Sequence, residues 1–143
     1  MTGAPGELDS FVTAWREFTG PGTDSVPSNT AITYTNGFAV GTAVSFTPPS
    51  DTVTINEAGY YEVNFTIHNS GDAMGFELRL NGTSVTTLPF TGEGGGPVTG
   101  EIIILVDADL PATLQLVNIS APAGTNLHSN TNATLTVKQI STL

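Results

Sequence analysis

Apolar and polar residues alternate along much of the chain with a period of two, which is typical of β-strands that bury one face. Segment 61–68 shows this alternation most clearly, and it recurs in shorter segments on both sides. The apolar positions of these segments form the predicted core. They are Tyr61, Val63, Phe65, Ile67, Phe76, Leu78, Leu80, Leu114, Leu116, Leu135 and Val137.

Turn-forming residues separate the alternating segments. Asn81-Gly82 predicts a two-residue hairpin between a strand over 76–81 and a second over 83–88. Asn36-Gly37 is interpreted as another turn, and Pro48-Pro49 interrupts regular strand pairing. Roughly eight to ten short strands at this spacing predict an all-β sandwich or barrel.

The segment Phe11–Phe18 fits two patterns. Its apolar residues occur at helical spacing, which predicts a helix. Val12, Ala14 and Phe18 would share one face if the same segment were a strand. Periodicity by itself leaves both interpretations open.

The segment Ile102–Val106 is apolar at consecutive positions, so both faces of the predicted strand favour burial. One face would meet the opposing sheet of a sandwich. The other needs a cover, and we expect a partner subunit to supply it. Ile102, Ile103 and Ile104 are therefore predicted to lie at an interface between subunits.

Composition excludes several classes of function. The 143 residues include 13 acidic and 3 basic residues, for a formal net charge of -10, which argues against nucleic-acid binding. The chain has no cysteine and no apolar run of membrane-spanning length, so neither thiolate chemistry nor membrane insertion is expected. Only 11% of residues are charged, which favours a neutral polar surface combined with burial in an assembly.

Catalytic and metal-binding motifs are weak. The chain has neither a Gly-x-Ser-x-Gly elbow nor a His-Glu-x-x-His motif, and His68 lies on the polar side of a predicted strand. The sequence is therefore not expected to encode an enzyme or to need a cofactor. Asp107 and Asp109 could offer oxygen ligands to calcium, although turn capping by Asp109 is the favoured interpretation.

Several segments, in order, resemble the complement-1q/TNF-like jelly roll. The segment 51–65 carries Gly59-Tyr60-Tyr61 at the start of a long alternating strand, and segments 41–45, 76–82, 105–110 and 134–138 match in turn. The strongest resemblance is to the carboxyl-terminal head of BclA-type spore-surface collagen-like glycoproteins. It covers residues from about 25 to 143.

The resemblance implies a TNF-like jelly-roll sandwich of about ten strands, with Phe11–Phe18 as the first strand. It implies one domain over residues 9–143 and a homotrimer in which Tyr61 joins the interface. The implied function is non-enzymatic trimerisation and display on an extracellular, cell or spore surface, with a contribution to adhesion. Gly3–Leu8 forms two Gly-x-y triplets, so residues 1–8 are interpreted as the end of a collagen-like stalk or a cloning remnant.

A second hypothesis is a trimeric module that binds carbohydrate or a host receptor, such as a lectin or phage fibre tip. Its candidate ligand residues lie in a polar loop near the carboxyl end, where they could hydrogen-bond sugar hydroxyl groups, although ordinary turn residues are the favoured interpretation. They are Asn126, His128, Asn130 and Asn132.

Overall fold

A computed structural model of the chain describes residues 10–120, 125–127 and 130–143, which form fourteen strands and no helix. The predicted stalk segment 1–8 and His128 lie outside the described residues. The strands are β1 Phe11–Phe18, β2 Asp24–Val26, β3 Thr30–Ala31, β4 Asn36–Val40, β5 Val44–Ser45, β6 Val53–Ile55, β7 Gly59–His68, β8 Met74–Leu80, β9 Thr83–Ser84, β10 Phe90–Gly92, β11 Pro97–Val106, β12 Ala112–Asn118, β13 Thr125–Leu127 and β14 Asn130–Thr142.

Two antiparallel sheets face each other. Sheet I contains five strands in the order β11-β7-β14-β1-β4. Sheet II contains seven, in the order β10-β8-β12-β6-β5, with β3 beside β12 and β9 beside β8. The short β2 and β13 pair separately. The all-β sandwich expected from the sequence is confirmed, and the strands beyond the expected ten are short ones of two or three residues.

The core fills the space between the sheets, because each long strand turns its alternate apolar side chains inward. Strand β7 is the clearest case, since every second residue from Gly59 to Ile67 is buried. Of the predicted core residues, all are buried except Leu80, which packs partly buried against the same cluster. The period-two pattern therefore identified the core correctly.

The segment Phe11–Phe18 is a strand and not a helix. It lies between β14 and β4, with Val12 opposite Val137 on one side and Ala39 on the other. Val12 and Ala14 are buried in the core. Phe11 and Trp15 lie on the opposite face of this strand. The apparent helical spacing therefore comes from apolar residues on both faces of a strand.

The two predicted Asn-Gly turns differ in outcome. Asn81 and Gly82 have φ of 50° and 83° and join β8 to β9, as expected for a hairpin turn with both central residues left-handed. Asn36-Gly37 instead lies inside β4, paired with β1. Gly37 permits that pairing because a Cβ there would lie 2.8 Å from the Ala14 Cα.

Gly59 opens β7, and its role is close packing. Its φ lies outside the left-handed region, but a Cβ on this residue would collide with the Ser141 carbonyl oxygen of β14. Only glycine fits where β7 and β14 approach each other across the bulge between Gln139 and Ser141. Strand pairing thus requires the glycine of Gly59-Tyr60-Tyr61.

We expect Gly59→Ala to lower the free energy of unfolding by roughly 1–3 kcal/mol, because the added methyl group must push β14 away. Gly75→Ala is the matched control, since a Cβ there has its nearest neighbour at 3.6 Å. Chemical denaturation of both variants measures the difference. Equal stabilities for the two variants would contradict the close-packing role of Gly59.

Candidate assembly surface

Sheet I has an outer face that no other part of the described chain covers. The strand register places the odd-numbered residues of β1 and β11 on this face, together with the even-numbered residues of β4, β7 and the central part of β14. Most of the exposed large apolar side chains of the described chain lie on this face and not on the outer side of sheet II. They gather at two opposite edges.

The first group, which we call the β11 patch, consists of Tyr60, Ile103 and Leu105. Leu105 lies opposite Tyr60 in the pairing of β11 with β7, and Ile103 is the next outward residue along β11. Ile103 is 56% exposed, although isoleucine is among the residues most often buried. Three contiguous apolar side chains at a sheet edge are typical of a protein interface.

A groove borders the β11 patch where the edges of the two sheets diverge. It has a volume of about 370 Å³ and runs between β11 and the hairpin of β8 and β9. Leu80 and Val85 line one wall and Ile103 and Leu105 the other. No charged residue lines it. The groove therefore suits an apolar occupant.

The second group, the β4 patch, consists of Phe11, Phe38 and Val40 at the other edge of sheet I. Phe11 lies opposite Val40 across the pairing of β1 with β4. The rings of Phe11 and Phe38 are edge to face, with centroids 6.4 Å apart. Phe38 is 49% exposed, so much of an aromatic ring projects from this edge.

Polar residues separate the two patches. Glu62 and Lys138 are opposite each other on β7 and β14, and Glu101 is opposite Asn64 on β11 and β7. A cleft of about 340 Å³ lies over Asn64, between Glu101 and Thr136. The buried Asn64 Oδ1 has no hydrogen-bond partner among the described residues. The centre of the face is thus hydrophilic, whereas its two edges are apolar.

The predicted interface residues divide between the two sides of sheet I. Ile103 points outward and is available to a neighbour. Ile104 is only 6% exposed and Tyr61 is fully buried, so both belong to the core, and their assignment to an interface is corrected. Ile102 is partly buried and packs against the core. The alternation of β11 explains this result, because successive side chains of a strand point to opposite faces.

Tyr61 serves the fold. Its hydroxyl group donates a hydrogen bond to the Glu57 carbonyl oxygen at 2.7 Å, which ties the start of β7 to the turn that precedes it. Burial, with a smaller effect from the Glu57 charge, raises the pKa of Tyr61 to about 12. The adjacent Tyr60 points to the outer face and joins the β11 patch in its place.

The predicted ligand residues do not form one site in the described chain. Asn126 lies in β13, opposite Ser25. Asn130 is exposed at the start of β14 with a φ of 70°, as is typical of an asparagine at a turn. Asn132 is buried, and its Nδ2 donates to Asp24 Oδ2 at 2.8 Å, so its assignment as a ligand residue is corrected to a structural role.

Asp24 is the centre of this buried network. Arg16 donates to both of its oxygens, from Nε at 2.7 Å and from Nη2 at 2.9 Å. A further hydrogen bond runs from Arg16 Nη1 to the Thr33 carbonyl oxygen at 2.9 Å. Burial disfavours the charged carboxylate, but hydrogen bonds from Arg16 and Asn132 and the Arg16 charge outweigh it and hold the pKa of Asp24 below its usual value.

Neither a metal site nor a membrane span emerges from the described residues. In residues 10–120, 125–127 and 130–143, no three His, Cys, Asp or Glu residues group as a candidate metal site. Asp109 has a φ of 56°, and its carbonyl oxygen accepts a hydrogen bond from Asn81 at 3.3 Å. The same ranges contain no helix of the length and hydropathy that a bilayer crossing requires.

Sequence reasoning missed five of the six residues of the two patches, among them Phe11, whose segment fits a helix as well as a strand. Phe38 and Val40 were overlooked because Asn36-Gly37 was interpreted as a turn. The continuous apolar run Phe38-Ala39-Val40 carried the signal of a strand that is apolar on both faces. Tyr60 and Leu105 were missed because the interface was assigned to their neighbours Tyr61 and Ile104, which are buried.

The fold matches known structures over almost its entire length. The globular domain of zebrafish complement 1qA aligns with a TM-score of 0.66 at 12% identity, covering 92% of this chain and 97% of that one. Murine APRIL gives 0.61 at 12% identity, covering 90% and 98%. The PRD1 vertex protein P5 gives 0.56 at 16% identity, covering 94% and 99%. The chain therefore has a C1q/TNF-like jelly-roll fold.

The sequence itself has no such match. No protein-family model matches it, and neither does any curated protein.

We expect Asp24→Asn to lower the free energy of unfolding at pH 7 by about 1.5–3 kcal/mol, because charge-assisted hydrogen bonds to Arg16 are lost. The pKa of Asp24 is lower in the folded protein than in the unfolded chain, where it is about 3.9. The stability that the Asp24 carboxylate contributes is therefore fully present above pH 3.9 and is lost as the pH falls through the pKa of the folded state. Urea titrations at several pH values between 7 and 2 measure the gap in free energy of unfolding between wild type and variant. A gap that stays constant down to pH 2 would refute the ionic role of Asp24.

Proposed function

We propose that the chain is the non-enzymatic trimerising head of a collagen-like protein displayed on an extracellular, cell or spore surface. Three copies pack around an axis through the outer faces of their sheets I. The task of the head is to hold three chains in register and to present its outer loops. The C1q/TNF-like fold and the resemblance to spore-surface collagen-like heads support this assignment.

One observation carries the proposal, namely that the β11 patch and the β4 patch lie at opposite edges of the same face. A two-fold dimer uses the same patch on both subunits, whereas a cyclic assembly needs two different, complementary surfaces on each subunit. A chain with two separate apolar edges offers the two different surfaces that a cyclic assembly needs. The resemblance to C1q/TNF-like heads supports three-fold closure over other cyclic arrangements.

The balance of burial and charge is consistent with assembly. Full burial of a completely exposed large apolar side chain contributes about 1.5–3 kcal/mol. Five side chains of the two patches are 39–56% exposed, so each would contribute about half of that. Repulsion opposes this gain, because every protomer carries a formal charge of -10. The apolar edges of the face thus have to outweigh the repulsion.

The collagen-like part of the proposal rests on sequence. Gly3–Leu8 reads as two Gly-x-y triplets and precedes the jelly roll, which is the position of a stalk in the proteins that the sequence resembles. A trimeric head would align three such strands and lower the entropic cost of starting a triple helix. The alternative function, a loop that binds carbohydrate or a receptor, has one candidate ligand residue fewer, because Asn132 is buried in the core.

We expect the wild-type chain to have a solution mass three times its 14.8 kDa protomer at micromolar concentration. Ile103→Asp should convert it to a folded monomer, because an unpaired charge would be buried in the interface. Ile104→Asp should unfold the protomer, because Ile104 lies in the core. Sedimentation velocity gives the mass, and circular dichroism reports folding.

Leu110→Asp is the matched control, since Leu110 is an exposed leucine outside both patches, and it should remain trimeric. A wild-type protein that sediments as a 14.8 kDa particle would exclude the proposed function. A trimeric Ile103→Asp variant would exclude the β11 patch as the interface.

A further inference from the structure

We infer that Asn81 is an acceptor for an N-linked glycan, and that it is the only one of four such positions at which the assembled head tolerates a glycan. This inference rests on the extracellular display given by the proposed function, because the transfer takes place outside the cytosol. Four segments have the Asn-x-Ser/Thr pattern of an acceptor. They begin at Asn64, Asn81, Asn118 and Asn132.

Asn81 is accessible in the folded protomer. It lies exposed at the tip of the hairpin between β8 and β9, where it forms the two-residue turn with Gly82. A Cβ at Gly82 would have no atom within 4 Å, so the space beside the tip is open. Thr83, the hydroxyl residue of the pattern, is exposed at the start of β9. A bulky sugar chain fits an exposed turn without displacing its neighbours.

Hydrogen bonds orient the Asn81 amide and leave one of its protons available. Its Oδ1 accepts from the Thr113 backbone N–H at 2.9 Å, and its Nδ2 donates to the Asp109 carbonyl oxygen at 3.3 Å. A carboxamide nitrogen has two protons, and the second one of Asn81 has no acceptor among the described residues. A glycan replaces one proton only, so both contacts are compatible with the modification.

The fold excludes a glycan at Asn118 and Asn132, because both side chains are fully buried. Asn118 Nδ2 donates to the carbonyl oxygens of Val26 at 2.9 Å and Pro27 at 3.4 Å, which accounts for both of its protons. Asn132 Nδ2 donates to Asp24 Oδ2 at 2.8 Å. A sugar chain at either position would have to displace the packing around it.

Asn64 is excluded by the assembly. It lies in the middle of β7 on the outer face of sheet I, between Glu101 of β11 and Thr136 of β14. Its Oδ1 is buried in the cleft that separates the two apolar patches. A glycan there would stand between protomers that pack through this face.

The transfer requires an oligosaccharide carried on a polyprenyl diphosphate as co-reactant. A bond forms between Asn81 Nδ2 and C1 of the first sugar, the bond from that carbon to the diphosphate oxygen breaks, and Nδ2 gives up one proton to a base of the transferase. The enzyme acts on the unfolded chain. The fold then acts as a filter, since only chains that are modified at tolerated positions fold and are secreted.

Secretion of the full chain from a eukaryotic cell that performs this transfer tests the inference. We expect the secreted protein to carry one glycan per chain. Enzymatic release that converts the glycosylated asparagine to aspartate should mark residue 81 in peptide mass spectrometry. Thr83→Ala should abolish the glycan and Thr83→Ser should retain it, because only the second variant keeps the hydroxyl group of the pattern. Both variants leave the Asn81 contacts in place, so they separate loss of the acceptor from loss of the turn.

The outcomes separate this inference from the proposed function. Secreted wild type without a glycan, or a glycan that persists in Thr83→Ala, would overturn Asn81 as the acceptor. A glycan on Asn118 or Asn132 of folded protein, or on Asn64 of a trimer, would overturn the claim that only Asn81 is tolerated. A glycosylated chain that sediments as a monomer would instead exclude the trimeric head and leave the acceptor at Asn81 standing.

Discussion

The pairing of β7 with β11 on one side and β14 on the other is the constraint on which the rest of the molecule depends. These three strands form the longest continuous ladder of the structure, and their register decides which side chains enter the core. A shift by one residue would exchange Tyr61 for Tyr60 and Ile104 for Ile103. Core packing and assembly surface are therefore two consequences of one register, which Gly59 helps to set where β14 comes closest.

The sequence predicted the core well because burial on one side of a strand leaves a period of two, and that period is visible in segment 61–68 without any knowledge of partners. It predicted the Asn81-Gly82 hairpin for a similarly local reason, since both residues tolerate a left-handed backbone. These features depend on a few neighbouring residues. Strand Phe11–Phe18 needed the family resemblance, because its outer side is apolar as well and obscures the alternation.

The candidate surface was only partly predictable, since it depends on which strands become neighbours. The run Ile102–Val106 indicated two apolar faces, but only the register of β11 shows that Ile103 faces outward and Ile104 inward. Nothing local in the sequence places Phe38 at the far edge of the same sheet. Asn132 was likewise assigned to a loop because its partner Asp24 is 108 residues away along the chain.

Strand β11 has a further consequence for the protomer by itself. It is an edge strand of ten residues that pairs only with β7 in sheet I, and its sequence is rich in β-branched apolar residues. Long, apolar, unpaired edges template the addition of foreign strands and the growth of aggregates. If three copies assemble as proposed, a newly synthesised protomer would be safest from aggregation when its neighbours are made close by, so solubility during biosynthesis would depend on the local abundance of sister chains.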